Sequence, residues 1–118
     1  MYGASCAAAV AAFDVIERDG LVARAAEMGD YLGSGLVRLM ERHPALVATR
    51  GIGLWWAFDI APAELTMPLV QAVEKRGVII GSMLNADGTV RVAPPLTVTT
   101  EEIDTLLDAL DESFGELT

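Results

Sequence analysis

Apolar residues follow a helical period in several segments of this chain and a period of two in another. From Leu21 to Arg42, the residues Leu21, Ala25, Met28, Leu32, Leu36 and Met40 fall on one stripe, flanked by Val22, Val37 and Leu39. Residues three and four apart share one face of a helix, so the spacing predicts a helix that ends at His43-Pro44. Gly29, Gly33 and Gly35 interrupt it, and small residues there allow close packing. Thr100 to about Phe114 repeats the pattern with Ile103, Leu106, Leu107, Leu110 and Phe114, opposite an acidic face of Asp104, Asp108, Asp111 and Glu112. Thr99 and Glu102 have the spacing of a capping box at its start. A shorter helix is predicted over Met67–Arg76, with Thr66 as N-cap, Pro68 in the first turn and Gly77 just beyond its end. Ser5–Asp19 reads as a further helix, with Ser5 as N-cap and Gly20 after its last turn. Its first half, Cys6 to Phe13, is apolar on every face, the pattern of a helix covered on all sides. So small a domain rarely surrounds a helix completely, so another body is expected to cover it.

Alternation marks the strands. Leu54, Trp56, Phe58 and Ile60 face one way and Trp55, Ala57 and Asp59 the other, a period of two with one heavily apolar face. A short strand over Leu46–Arg50 precedes it, separated by Gly51-Ile52-Gly53 as a bulge or bend. Val78-Ile79-Ile80 reads as a short buried strand, Asn85-Ala86-Asp87-Gly88 as a turn, and Thr89–Ala93 as a last strand ended by Pro94-Pro95. The expected fold is one α+β domain over residues 1–118: a small, mostly antiparallel sheet with helices packed on one side, preceded by a long N-terminal helix.

Composition narrows the function classes. Hydrophobic residues make up 53% and charged residues 21% of 118, which excludes intrinsic disorder. Mean hydropathy is +0.41, yet no apolar run is long enough to span a bilayer, and no basic segment precedes Cys6–Phe13 as in a signal peptide. No membrane partner is expected. Seventeen acidic residues against eight basic ones give a net charge of −9, which repels phosphate backbones and argues against nucleic-acid binding. One cysteine and one histidine suit neither a disulfide nor a zinc site, so no metal is expected, and the location read from them is cytoplasmic.

Few residues carry candidate chemistry. Arg91 sits mid-strand between Val90 and Val92, on the face of Thr89 and Ala93. A guanidinium is a rigid, permanently charged fork suited to a carboxylate. From the pattern alone, a surface arginine on an edge strand is the commoner reading. Gly51-x-Gly53 lacks the third glycine and the following helix of a dinucleotide loop, and serves a bend. His43 lies at a helix C-terminus with no spaced partner, a structural position. Cys6, among alanines near a helix start, reads as a small packing residue. Trp55 and Trp56 point to opposite faces, one to the core and one to an interface. Lys75, the single lysine, ends a helix in Glu74-Lys75-Arg76, without the desolvated pocket a Schiff-base lysine needs.

Three segments in order carry a family likeness. Tyr2–Gly20 holds a Cys-Ala-Ala-Ala core followed by Glu-x-x-Gly-Leu; Arg50-Gly51-Ile52-Gly53-Leu54 leads into the central strand; Val90-Arg91-Val92-Ala93-Pro94-Pro95-Leu96-Thr97 leads into the acidic helix. Over nearly the whole chain this resembles the C-terminal small domain of class III aminotransferases, pyridoxal-phosphate enzymes of fold type I that include the ornithine, acetylornithine, 4-aminobutyrate and other ω-aminotransferases. The short link from Ile60 to Thr66 looks more like the acetylornithine type than the longer ω-aminotransferases. The resemblance implies that Arg91 binds the α-carboxylate of the amino acid or 2-oxo acid substrate, and this reverses the surface reading. It also implies amino-group transfer through pyridoxal phosphate in a longer parent, and a large domain that carries the lysine, the acid under the pyridine nitrogen and the phosphate loops. None of these is in this chain, and Met1 stands where the family places a phosphate-contacting threonine. The chain is therefore expected to be inactive alone, to supply no catalytic residue, to bind no cofactor by itself, and to form a homo-oligomer, a dimer. Two other readings stay open: a free-standing self-associating α+β domain, and a small regulatory domain that binds an amino acid through Arg91.

Overall fold

The computed structural model describes residues 2–82 and 87–118. Helix α1 (Gly3–Arg18) leads into α2 (Leu21–Arg42), and a hairpin of β1 (Leu46–Ile52) and β2 (Trp55–Ile60) follows. A single 3-10 turn (Ala63–Leu65) runs into α3 (Thr66–Lys75), then come β3 (Gly81–Ser82), β4 (Thr89–Val92) and α4 (Thr100–Leu117). The sheet order is β1-β2-β4-β3, and every neighbouring pair is antiparallel. The expected α+β fold, with a small antiparallel sheet behind a long first helix, is the fold observed.

One face of the sheet makes the core. Phe58, Ile60, Val90, Val92 and Leu46 are buried there against Leu32 and Leu36 of α2, Leu69 and Val73 of α3, and Ile103, Leu110 and Phe114 of α4. The period-two pattern of β2 and the helical stripes of α2 and α4 predicted seven of these twelve: Phe58, Ile60, Leu32, Leu36, Ile103, Leu110 and Phe114. The glycines of α2 do more than loosen it. A Cβ on Gly29 would overlap the backbone of Gly53, and one on Gly33 would overlap the Trp56 ring. The hairpin therefore presses directly onto the α2 backbone. Trp56 locks this contact by donating its indole N–H to the Gly53 carbonyl at 2.8 Å.

Several local expectations are corrected. Gly51 and Ile52 belong to β1 and pair with Trp56 and Trp55, so the interruption is the hairpin turn itself, at Gly53-Leu54. Gly53 takes φ +55, a conformation that primed hairpin turns need and glycine adopts at little cost. Ser5 is inside α1, whose N-cap Tyr2 makes no side-chain cap bond. Thr66 is likewise the first helical residue of α3, and its hydroxyl donates to the Ala63 carbonyl at 2.7 Å to brace the preceding turn. Val78-Ile79-Ile80 is not a buried strand: pairing begins at Gly81, and Ile79 is 89% exposed. Apolar runs of three cannot by themselves choose between strand and connector. The turn expected at Asn85-Ala86-Asp87-Gly88 lies partly outside the described residues, and Gly88 takes φ +84.

Helix α4 begins as predicted. The Thr99 hydroxyl accepts from the Glu102 amide at 3.2 Å, and Glu102 accepts in return from the Thr99 amide at 3.1 Å. Helix α1 is the exception to the packing. None of its described residues is buried, and it lies along α2.

Candidate functional site

Alternation sends Trp55, Ala57 and Asp59 of β2 to the sheet face away from the core. The ladder then sets their neighbours. Ala57 lies between Arg50 of β1 and Arg91 of β4, and Asp59 lies between Ala48 and Thr89. Asp59 is the only acidic residue in the described strands. Its carboxylate accepts two bonds from Arg50, Nη1 to Oδ2 at 2.9 Å and Nη2 to Oδ1 at 3.2 Å. It takes a third from the hydroxyl of buried Thr89, at 2.7 Å. The Arg50 guanidinium, helped by the Thr89 hydroxyl, holds the Asp59 carboxyl below the usual carboxylate range against the opposing effect of partial burial.

Arg91 is exposed, on the face its neighbours predicted, and among the described residues it makes no ion pair. It is not on an edge strand: β3 pairs with β4 on its far side, with Gly81 opposite Arg91. Across the sheet the row reads Arg50, Ala57, Arg91, Gly81. Both directly opposite cross-strand neighbours of Arg91 are small. Arg91 also lines a cleft of about 520 Å³ with Ile80, Gly81, Pro94, Val98 and Glu102. A cation without an ion pair among the described residues, on a strand that borders an apolar cleft, suits a ligand with a carboxylate head and an organic body.

The remaining candidates are spread over the molecule. His43 meets a partner that spacing did not reveal, Asp111, 68 residues away: Nε2 lies 2.6 Å from Oδ1, and the ring stacks on Phe114 at 5.4 Å. Arg42 pairs with the same carboxylate at 3.0 Å, so this cluster ties the end of α2 to α4. Cys6 is exposed on α1, a correction to its reading as a packing residue. Trp56 is the core-facing tryptophan, and Trp55 is 68% exposed next to Ile52 at 80%. Lys75 is exposed at the end of α3. Sequence reasoning singled out Arg91 but not Arg50, Asp59 or Thr89. The alternation of β2 already put Asp59 on the open face; its partners depend on register, which alternation does not give.

The class-III aminotransferase family profile matches residues 3–114. The acetylornithine aminotransferase of Caldanaerobacter subterraneus subsp. tengcongensis is 32% identical over 96% of this chain and 28% of its own length. Ornithine aminotransferase 2 of Staphylococcus aureus is 34% identical over 93% of this chain and 26% of its own. Among solved structures, the lysine aminotransferase from M. tuberculosis superposes with a TM-score of 0.84 at 36% identity, covering 89% of this chain and 24% of that one. A Bacillus anthracis aminotransferase superposes at 0.88 with 26% identity, covering 96% of this chain and 28% of that one. The chain thus spans about a quarter of the length of the relatives it matches.

Proposed function

The chain belongs to the class-III aminotransferase family, and from that premise we propose that it is the substrate-carboxylate-binding domain of a longer enzyme that moves an amino group from an amine or amino acid to a 2-oxo acid. The observation that carries this reading is Arg91, exposed on the open sheet face between two small neighbours, without an ion pair among the described residues, on a strand that lines an apolar cleft. In this role Arg91 takes the α-carboxylate through both arms of its fork and so orients the amino-bearing carbon.

Pyridoxal phosphate, which the family implies, would supply the amino-group chemistry. The residues of this chain do not fit it on their own. Its one lysine is exposed on a helix end, without the desolvated surroundings that a covalent anchor needs. The anchor and the phosphate contacts belong to a large domain that the longer relatives support. The exposed α1, apolar from Cys6 to Phe13, and the Ile52–Trp55 edge of the open sheet face are the surfaces that domain would cover. A cytoplasmic dimer completes the reading.

The test compares kcat/KM in the full-length enzyme for L-ornithine and for 1,4-diaminobutane, the same chain without the α-carboxylate. Arg91→Ala is expected to lower the ornithine value by roughly 30-fold to several thousand-fold, the equivalent of about 2–5 kcal/mol for truncating one partner of a hydrogen-bonded charge pair. The diamine should change far less. Equal losses for both substrates would show Arg91 to be structural.

A further inference from the structure

We infer that Arg50 and Thr89 are positioning residues that capture the Asp59 carboxylate and so keep the Arg91 guanidinium open for a substrate carboxylate. The inference rests on the reading of Arg91 given above and concerns a competitor inside the sheet itself.

The register makes Asp59 a competitor. Arg50 and Arg91 both stand directly opposite Ala57, one on each side of β2, and Asp59 is two residues along β2 on the same face. Asp59 faces Ala48 on β1 and Thr89 on β4; Arg50 is two residues beyond Ala48, and Arg91 is two residues beyond Thr89. The two arginines therefore occupy equivalent diagonal positions from one carboxylate. Diagonal neighbours on antiparallel strands lie within reach of long side chains. Yet the carboxylate is shared unequally. Arg50 takes both oxygens at 2.9 and 3.2 Å, and Thr89 donates to Oδ1 at 2.7 Å from the Arg91 side. Arg91 takes none among the described residues.

This distribution has a functional consequence. An Asp59–Arg91 pair would have to be broken each time a substrate carboxylate arrived, so it would weaken binding by competition. With Arg50 as the partner, the Asp59 charge is offset in place, and Oδ1 also accepts from the Thr89 hydroxyl on the β4 side. The open face then carries two arginines and one carboxylate, a net positive patch on a chain of net charge −9. An incoming anion finds one guanidinium engaged and one free.

The experiment uses the full-length enzyme with Arg50→Met, Asp59→Asn, the double variant and Arg91→Ala, each assayed on L-ornithine and 1,4-diaminobutane. Arg50→Met releases Asp59 toward Arg91. KM for ornithine is expected to rise about two- to fivefold, the scale of an exposed ion pair, with kcat and the diamine values nearly unchanged. Adding Asp59→Asn should restore the KM, because it removes the competitor. A neutral Arg50→Met, or a rise that survives Asp59→Asn, overturns the inference while leaving Arg91 in its role if Arg91→Ala remains selective for ornithine. A non-selective Arg91→Ala removes the underlying reading instead. A second measurement does not depend on turnover: carboxyl-carbon NMR of Asp59 in this chain. In Arg50→Met the titration of Asp59 should stay below the ordinary range and return to it only when Arg91→Met is added. A return to the ordinary range in Arg50→Met alone overturns the inference.

Discussion

At the scale of single residues, chemistry here depends on which neighbours a side chain is denied. Ala57 and Gly81 flank Arg91 and leave room for the carboxylate role proposed for it. Glycines show the same logic in packing, and identical substitutions should have opposite signs. Gly29→Ala would drive a methyl group into the Gly53 backbone, which cannot move without shifting the hairpin. Overpacking of this kind typically costs about 1–3 kcal/mol, more than the roughly 1 kcal/mol of helix propensity that alanine adds. Gly115→Ala on α4 meets nothing within 4 Å and should stabilise by about 0.5–1 kcal/mol. Urea unfolding of the two variants checks both signs. Equal gains would show that α2 does not carry the hairpin on its backbone.

At the scale of elements, the caps separate real helix starts from apparent ones. Thr99 and Ser5 both look like N-caps in sequence. Only Thr99 has its hydroxyl on the backbone amide three residues on, with Glu102 answering. Thr99→Ala is therefore expected to lower stability by about 0.5–2 kcal/mol, whereas Ser5→Ala should cost nothing measurable. Thermal melts of the two variants decide it, and a loss at Ser5 would mean that α1 starts later than Gly3. Ion pairs then hold the elements to one another. Arg76 of the α3 end reaches Glu112 at 3.2 Å and Glu116 at 2.8 Å on α4, and Arg42 and His43 share Asp111. The acidic face of α4 is thus partly a docking strip for the ends of α2 and α3. No periodicity reports this, because the partners lie 36 and 68 residues away.

At the scale of the whole molecule, the extents of 50 × 30 × 23 Å reflect a core domain with one helix laid outside it. Apolar residues of α1 such as Val10 at 60% and Phe13 at 66% remain exposed, as does Trp55. A surface of this kind is expected to bind an apolar dye, or to self-associate, when the 118-residue chain is studied alone, and the chain alone should show no transaminase turnover. Sedimentation and dye fluorescence test the first point. A clean monomer that binds no dye would count against a missing covering domain, and a borohydride-reducible adduct at Lys75 with turnover would overturn the second.

The sequence by itself determined the elements whose faces are long and consistent. The α2 and α4 stripes and the β2 alternation each repeat over several turns or residues, so one burial pattern satisfies them all, and the capping box is a local bond between near neighbours. It also determined Arg91 as the residue to watch, through the motif around it. Only the tertiary structure decided the rest. Whether Gly51-Ile52 bends or pairs depends on how closely α2 lets the hairpin approach. Whether Val78-Ile79-Ile80 forms a strand depends on where β4 offers its free edge. That Asp59 stands diagonal to both Arg50 and Arg91 depends on a register of three strands, set by contacts distant in sequence. Local pattern fixes which face a side chain takes, but only the assembled sheet fixes what stands beside it.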